Sequence, residues 1–217
     1  MRGNTVRQRS TIRAMMALGM GVSLALMACQ SDREATKPDP VTVTDQLLQS
    51  ALLTVEDLPT GWVADATPLP INTEVVPGSP CDDALTKLEP KTSASADFIA
   101  APSHLRNALA YFPDQGSAVE QTLINVAESC RNLVLPDGVS VRSAALDFGV
   151  LSDRTLGIRF EFEPKTGPIQ EIDLILIRDG DLVSLVRLDG IRPTDKELLD
   201  SIVRTAIGRL SAVAAQI

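Results

Sequence analysis

The chain has one histidine, His104, and it directly follows Ser103. A Ser-His-Asp triad would have to use this imidazole as its base. No G-x-S-x-G turn occurs in the sequence to present a serine on a strand-to-helix elbow. The pattern therefore offers a hydrolase no nucleophile paired with a base. His104 reads as a solvated residue at the entrance of a strand, with a ligand contact as the second reading. Glu161 and Glu163 lie two residues apart beside Arg159. Paired carboxylates can do acid–base work, but the plainer account is a solvated sheet face carrying a charge pair. Asp179 and Asp181 flank Gly180 in the manner of a calcium turn. One short turn supplies too few oxygens, and the bidentate Glu of an EF-hand loop is missing. With one histidine and no second cysteine near Cys81 or Cys130, no metal-ligand cluster forms. The expectation is no catalytic residue, no metal and no cofactor. The lone Trp62 reads as a plug at one end of the core, or as the wall of a ligand groove.

Composition narrows the partners. The chain carries 20 basic and 28 acidic residues. Four of the basic ones precede Cys29 and none of the acids does, so the remainder has a formal charge of −12. Such a surface argues against nucleic acid and against broad attraction to anionic lipid. Hydrophobic residues make up 44%, enough for one globular core, and aromatics only 3%. The core must then be built mainly from Leu, Ile, Val and Ala.

From Ala14 to Ala28 the chain is apolar or small apart from Ser23, a run of 15 residues preceded by Arg2, Arg7, Arg9 and Arg13. A membrane-spanning helix needs about 20. A basic region, a short apolar region and a small residue describe a secretory signal. Its end, Leu26-Met27-Ala28-Cys29, resembles the bacterial lipobox. That resemblance implies removal of residues 1–28, diacylglycerol on the Cys29 thiol, and anchoring to the outer face of the bacterial cell membrane. Residues 29–43 read as lipidated cysteine and polar tether, and residues 44–217 as one domain. Assigning Cys29 to lipid leaves Cys81 and Cys130. In an oxidising compartment such a pair is most simply a disulfide, closing a loop worth on the order of 4 kcal/mol. Two free thiols are the alternative.

The elements that would position these groups follow from periodicity. Thr44 caps a short helix through Leu53, and Thr54 opens a second turn ended by Pro59 and Gly61. Seven of the 14 prolines lie between Pro59 and Pro102, so regular structure there should be sparse, with a short strand near residues 71–76 and a short helix near 82–88. Residues 105–112 read as a strand. Ser117 and Glu120 have capping-box spacing. Val119, Leu123, Val126, Ala127, Cys130 and Val134 then recur at helical spacing, predicting a helix of about 17 residues. Strands follow at 139–146, 155–163, 169–177 and 182–188, the last two joined at Asp179-Gly180. A second box, Thr194 to Glu197, opens a C-terminal helix with a broad apolar stripe. This is an α+β two-layer sandwich: a curved antiparallel sheet of five to six strands packed by a central and a C-terminal helix.

LLTVEDLPTGW (residues 52–62), the helix segment AESC (127–130), and the DGDL hairpin (179–182) before an amphipathic helix carry a family resemblance. They resemble actinobacterial sensor-domain lipoproteins and are similar to the extracellular domain of PknH-like receptor Ser/Thr kinases. The resemblance implies a curved sheet with helices on one side, a groove for an unidentified ligand, and no catalytic residues. The chain then reads as a lipid-anchored envelope protein with a non-enzymatic domain that binds a small ligand, a lipid or an envelope protein. A carrier of lipid or another apolar molecule is the alternative, and an envelope hydrolase ranks below it.

Overall fold

A computed structural model describes residues 42–66, 87–149, 154–191 and 194–217, all within the compact unit Pro40–Ile217. The signal, the tether, Cys29 and Cys81 lie outside the described residues, as do the strand expected near 71–76 and most of the helix expected near 82–88. Among the described residues no helix is long and apolar enough to cross a membrane.

The chain opens with α1 (Asp45–Ser50), capped by the Thr44 hydroxyl, which accepts from the Leu47 N–H. A one-turn 3-10 helix follows at Val55–Asp57. Strands β1 (Val63–Ala64), β2 (Thr92–Ala100) and β3 (Ser103–Tyr111) precede α2 (Gly116–Ser129). Then come β4 (Asn132–Val134), β5 (Ser140–Leu146), β6 (Thr155–Glu163), β7 (Gln170–Asp179), β8 (Leu182–Ile191) and α3 (Lys196–Ala214). All eight strands form one open sheet in the order β1-β2-β3-β8-β7-β6-β5-β4, antiparallel throughout. The chain leaves β3 in mid-sheet, crosses to the far edge through α2, and returns strand by strand until β8 slots in beside β3.

Alternate residues of a strand point to opposite faces, and both faces of this sheet are packed. On the first face Leu105, Leu109, Ile175, Ile177, Val186 and Leu188 meet α1, Trp62 and α3. On the second, Phe160, Leu174, Leu176 and Val183 meet Val119, Leu123, Val126 and Cys130 of the α2 segment. Burying a Leu or Ile side chain is worth roughly 1.5–3 kcal/mol. The buried row Leu199, Ile202, Val203, Ala206, Leu210 and Val213 therefore holds α3 more firmly than helix propensity does.

The α+β class and the antiparallel sheet agree with the sequence reading. Among the described residues the strand count is eight rather than five to six, and α2 and α3 cover opposite faces instead of sharing one. The additional strands are β1, β2 and β4. Strand β4 occupies residues read as the end of a helix: α2 has 14 residues, and Cys130 is its C-cap. Ser117 is not the cap of α2. Gln115 holds that place without a side-chain bond, and Glu120 pairs instead with Arg178 of β7 at 2.8 Å. Close packing sets this entrance, because a Cβ on Gly116 would run into the carbonyl oxygen of Gly180. At α3 the cap is Asp195, whose carboxylate accepts from the Glu197 and Leu198 N–H groups.

Candidate functional site

Two nests of charge are built into the sheet, one on each face. The second-face nest surrounds His104 near the β2–β3 hairpin. Register sets Asp97 opposite Arg106, and Arg106 opposite Arg187. Two guanidinium groups side by side repel, and each has its own carboxylate. Arg106 donates to Asp97 at 2.7 and 3.2 Å, and Arg187 donates to Asp189 at 2.8 and 3.1 Å. Asp97 and Arg106 are buried, at 3% and 4% exposure. A buried charge is tolerated only when paired and hydrogen-bonded, and this pair meets that condition.

The imidazole lies between these pairs. Its Nε2 is 3.4 Å from Asp97 Oδ1 and 3.9 Å from Asp65 Oδ2, and its Nδ1 is 3.7 Å from Asp189 Oδ2. His104 is therefore not a merely solvated strand-entrance residue: both ring nitrogens are shut off from solvent. Ser103, its neighbour in sequence, points to the opposite face and stands under Gly190. The two do not form a nucleophile–base pair. What the nest offers is a set of donors and acceptors fixed by pairing, with Asp65, Arg187 and Asp189 reaching its partly open rim.

The first-face nest ties β6, β7 and the entrance of α3 together. Arg159 makes a two-pronged contact with Asp173 at 2.6 and 2.7 Å and reaches Glu171 at 3.6 Å. The Thr194 backbone N–H and hydroxyl both donate to Glu171 at 2.9 Å. Thr194 was expected to cap α3; its hydroxyl binds Glu171 of β7 instead. Burial pushes the Asp173 carboxyl up, against the pull of the Arg159 hydrogen bonds and charge, and the Glu171 carboxylate adds to the push. The hydrogen bond to Asp173 in turn holds Arg159 firmly protonated. Among the described residues Arg159 is the guanidinium that reaches both of these buried carboxylates.

The sequence motif of residues 52–62 is pinned over the first-face core. Buried Asn107 accepts from the Leu53 N–H at 3.0 Å and donates to Ser184 Oγ at 2.9 Å. Asp57 accepts from the Thr54 N–H at 2.7 Å and pairs with Arg209 of α3 at 2.6 Å. Burial alone would raise the Asp57 carboxyl, but the Thr54 and Arg209 hydrogen bonds outweigh it and hold the group below its usual range. Trp62 is 7% exposed and packs in this core, which fits the plug reading.

The other sequence candidates are spread apart. Glu161 and Glu163 share a face with Arg159 as expected, but Arg159 takes its partner from the next strand, and Glu163 pairs with Arg142 of β5. Asp179 binds Arg154 and Ser211, each at 3.2 Å, while Asp181 accepts from the Asp114 N–H. Cys130 is fully buried beside Val126 and Val141. Among the described residues no cluster of His, Cys, Asp or Glu is arranged to hold a metal ion.

No protein family matches the chain, and no curated protein does. Among solved structures, CalU16 from Micromonospora echinospora is 14% identical over 57% of this chain and 96% of that one. A STAR-related lipid transfer protein fragment from Xanthomonas axonopodis is 12% identical over 71% and 97%. Their TM-scores of 0.27 and 0.25 carry no structural inference. The extracellular domain of PknH from Mycobacterium tuberculosis is 14% identical over 79% of this chain and 96% of that domain, with a TM-score of 0.52. The fold of this chain is thus similar to that extracellular domain.

Proposed function

We propose that this protein is a lipid-anchored envelope protein whose domain binds a ligand or partner without transforming it. The observation that carries the reading is the His104 nest. Its charged groups are fixed in position and reach a partly open rim, and among the described residues they include no nucleophile beside the imidazole. Such an arrangement recognises by charge and hydrogen bonding rather than by making bonds. The similarity in fold to the extracellular domain of PknH supports an exported location. The lipobox-like end of the apolar run supports attachment at Cys29, and burial of Cys130 is in keeping with a Cys81–Cys130 bridge. Residues 29–43 would let the domain stand away from the membrane.

The anchor has a direct test. Cys29→Ala should shift the protein from the detergent-extracted membrane fraction to the soluble one and abolish labelling by radioactive fatty acid. Persistence of both would overturn the anchor. Non-reducing peptide mapping should join the segments containing Cys81 and Cys130; two separate alkylated peptides would exclude the bridge. Residue-dependent turnover of envelope esters or peptides would overturn the non-enzymatic reading.

A further inference from the structure

The tip of the β7–β8 hairpin is gripped from both faces of the sheet. On the second face it meets the entrance of α2. The Phe112 N–H donates to the Asp181 carbonyl at 2.9 Å, and the Asp114 N–H donates to the Asp181 carboxylate at 3.0 Å. Asp114 has φ +61°, a left-handed conformation that few residues other than glycine adopt. Gly116 then comes so close to Gly180 that no side chain, not even a methyl group, fits between them. One turn further along α2, Glu120 pairs with Arg178 at 2.8 Å.

On the first face the same tip meets the end of α3. Asp179 accepts from the Ser211 hydroxyl, near the end of that helix, and from Arg154, each at 3.2 Å. Arg154 also donates to the Ser211 hydroxyl at 3.2 Å, and its carbonyl accepts from the Arg178 N–H at 3.0 Å. Arg178 and Asp179 are neighbours in the chain. One peptide bond therefore joins the side chain that answers α2 to the side chain that answers α3. Behind them Leu182 packs into the first core and Val183 into the second.

We propose that this hairpin tip is a mechanical coupler: a shift in the seating of α2 on one face moves the end of α3 on the other. The polar ties on each side are partly exposed and individually weak, so they can give. The contact of Gly116 with Gly180 cannot, because close-packed groups transmit strain rather than compress. Pressure on the α2 entrance displaces Gly180, and with it the adjoining Asp179 and its hold on Ser211. A partner that binds against α2 thereby changes the surface at the end of α3 without touching it.

Gly116→Ala, which forces a methyl group into that contact, tests the coupler. Amide hydrogen exchange on the full chain should show protection at residues 207–211 lowered about fivefold, the size of one surface contact. Residues 199–203 of the same helix should be unchanged, whereas a general loss of stability would lower both stretches alike. Asp179→Ala cuts the tie on the α3 side alone. It should lower protection at residues 207–211 by itself, and Gly116→Ala should then add nothing there. If Gly116→Ala does not fold, Asp181→Ala takes its place, since it releases Asp114 and leaves Asp179 its partners; it should lower protection at residues 207–211 about twofold. An equal loss along α3, no change at residues 207–211, or effects that add to those of Asp179→Ala would each overturn the coupling.

Discussion

Arg159→Met is expected to lower the unfolding free energy by about 3–5 kcal/mol at neutral pH, read as a fall in the urea midpoint. The substitution keeps the apolar stem of the side chain and removes the guanidinium. Asp173, whose side chain is fully buried, then loses the guanidinium that pairs with it. Burial already raises the Asp173 carboxyl in the wild type, and losing Arg159 removes the largest of the interactions that oppose that rise. A carboxyl raised in the folded state contributes stability below its unfolded value and loses it as pH climbs through the folded one. The gap between variant and wild type should therefore narrow on acidification, as Asp173 takes up a proton. A gap that stays constant between pH 4 and pH 7 would mean that Arg159 contributes packing rather than charge. Arg159→Lys should rescue only part of the loss, because an ammonium cannot reproduce the two-pronged contact.

Asn107→Leu is expected to cost about 2–4 kcal/mol. Leucine fills a similar space but satisfies neither the Leu53 N–H nor the Ser184 hydroxyl, and these groups sit beneath the first-face core. Leaving a buried donor unpaired costs more than the bond itself was worth. Equilibrium urea unfolding measures the loss, and the Asn107→Leu/Ser184→Ala double variant separates its parts. Their energies should fall short of additivity, since removing Ser184's hydroxyl removes one of the two orphans. An effect below 0.5 kcal/mol, on the order of an ordinary surface substitution, would show that residues 52–62 are held by apolar packing alone.

The two nests of charge were out of reach of the sequence because their members come from different strands. Arg159 looked like the partner of Glu161 and Glu163, its neighbours in sequence. Its actual partner, Asp173, lies across the β6–β7 ladder. Asp97 sits on the other arm of the hairpin that carries His104, Asp189 is on the last strand, and the pairing of β3 with β8 brings Asp189 to the imidazole. Periodicity served well where side chains are large. Strands β5 to β8 and α3 could be read from it, and so could the two faces of β6. It failed at β2, whose TSASADFIA is built from small residues that alternate without a strong apolar signal. It misled at β4, where Leu133 and Val134 continue the helical spacing of α2. Pairing with β5 overrides that local preference. The helix starts erred for a simpler reason: Ser117 has the right spacing for a cap, but the contact of Gly116 with Gly180 fixes the entrance two residues earlier, with Gln115 as the cap.

Strand β7 is apolar on both sides, with Leu174 and Leu176 in one core and Ile175 and Ile177 in the other. A strand with a wet face reports a one-residue slip at once, because the slip drives apolar groups into water. Leu174 to Ile177 would report nothing of the kind, since each side offers the slipped strand another greasy wall. The alignment of the central sheet must then be spelled out by its few ionised letters, and Asp173 reading against Arg159 is the clearest of them. Removing that pair would do more than subtract an attraction. It would leave the middle of the sheet able to assemble out of step, so misalignment and aggregation during refolding are the failures such a chain would show first.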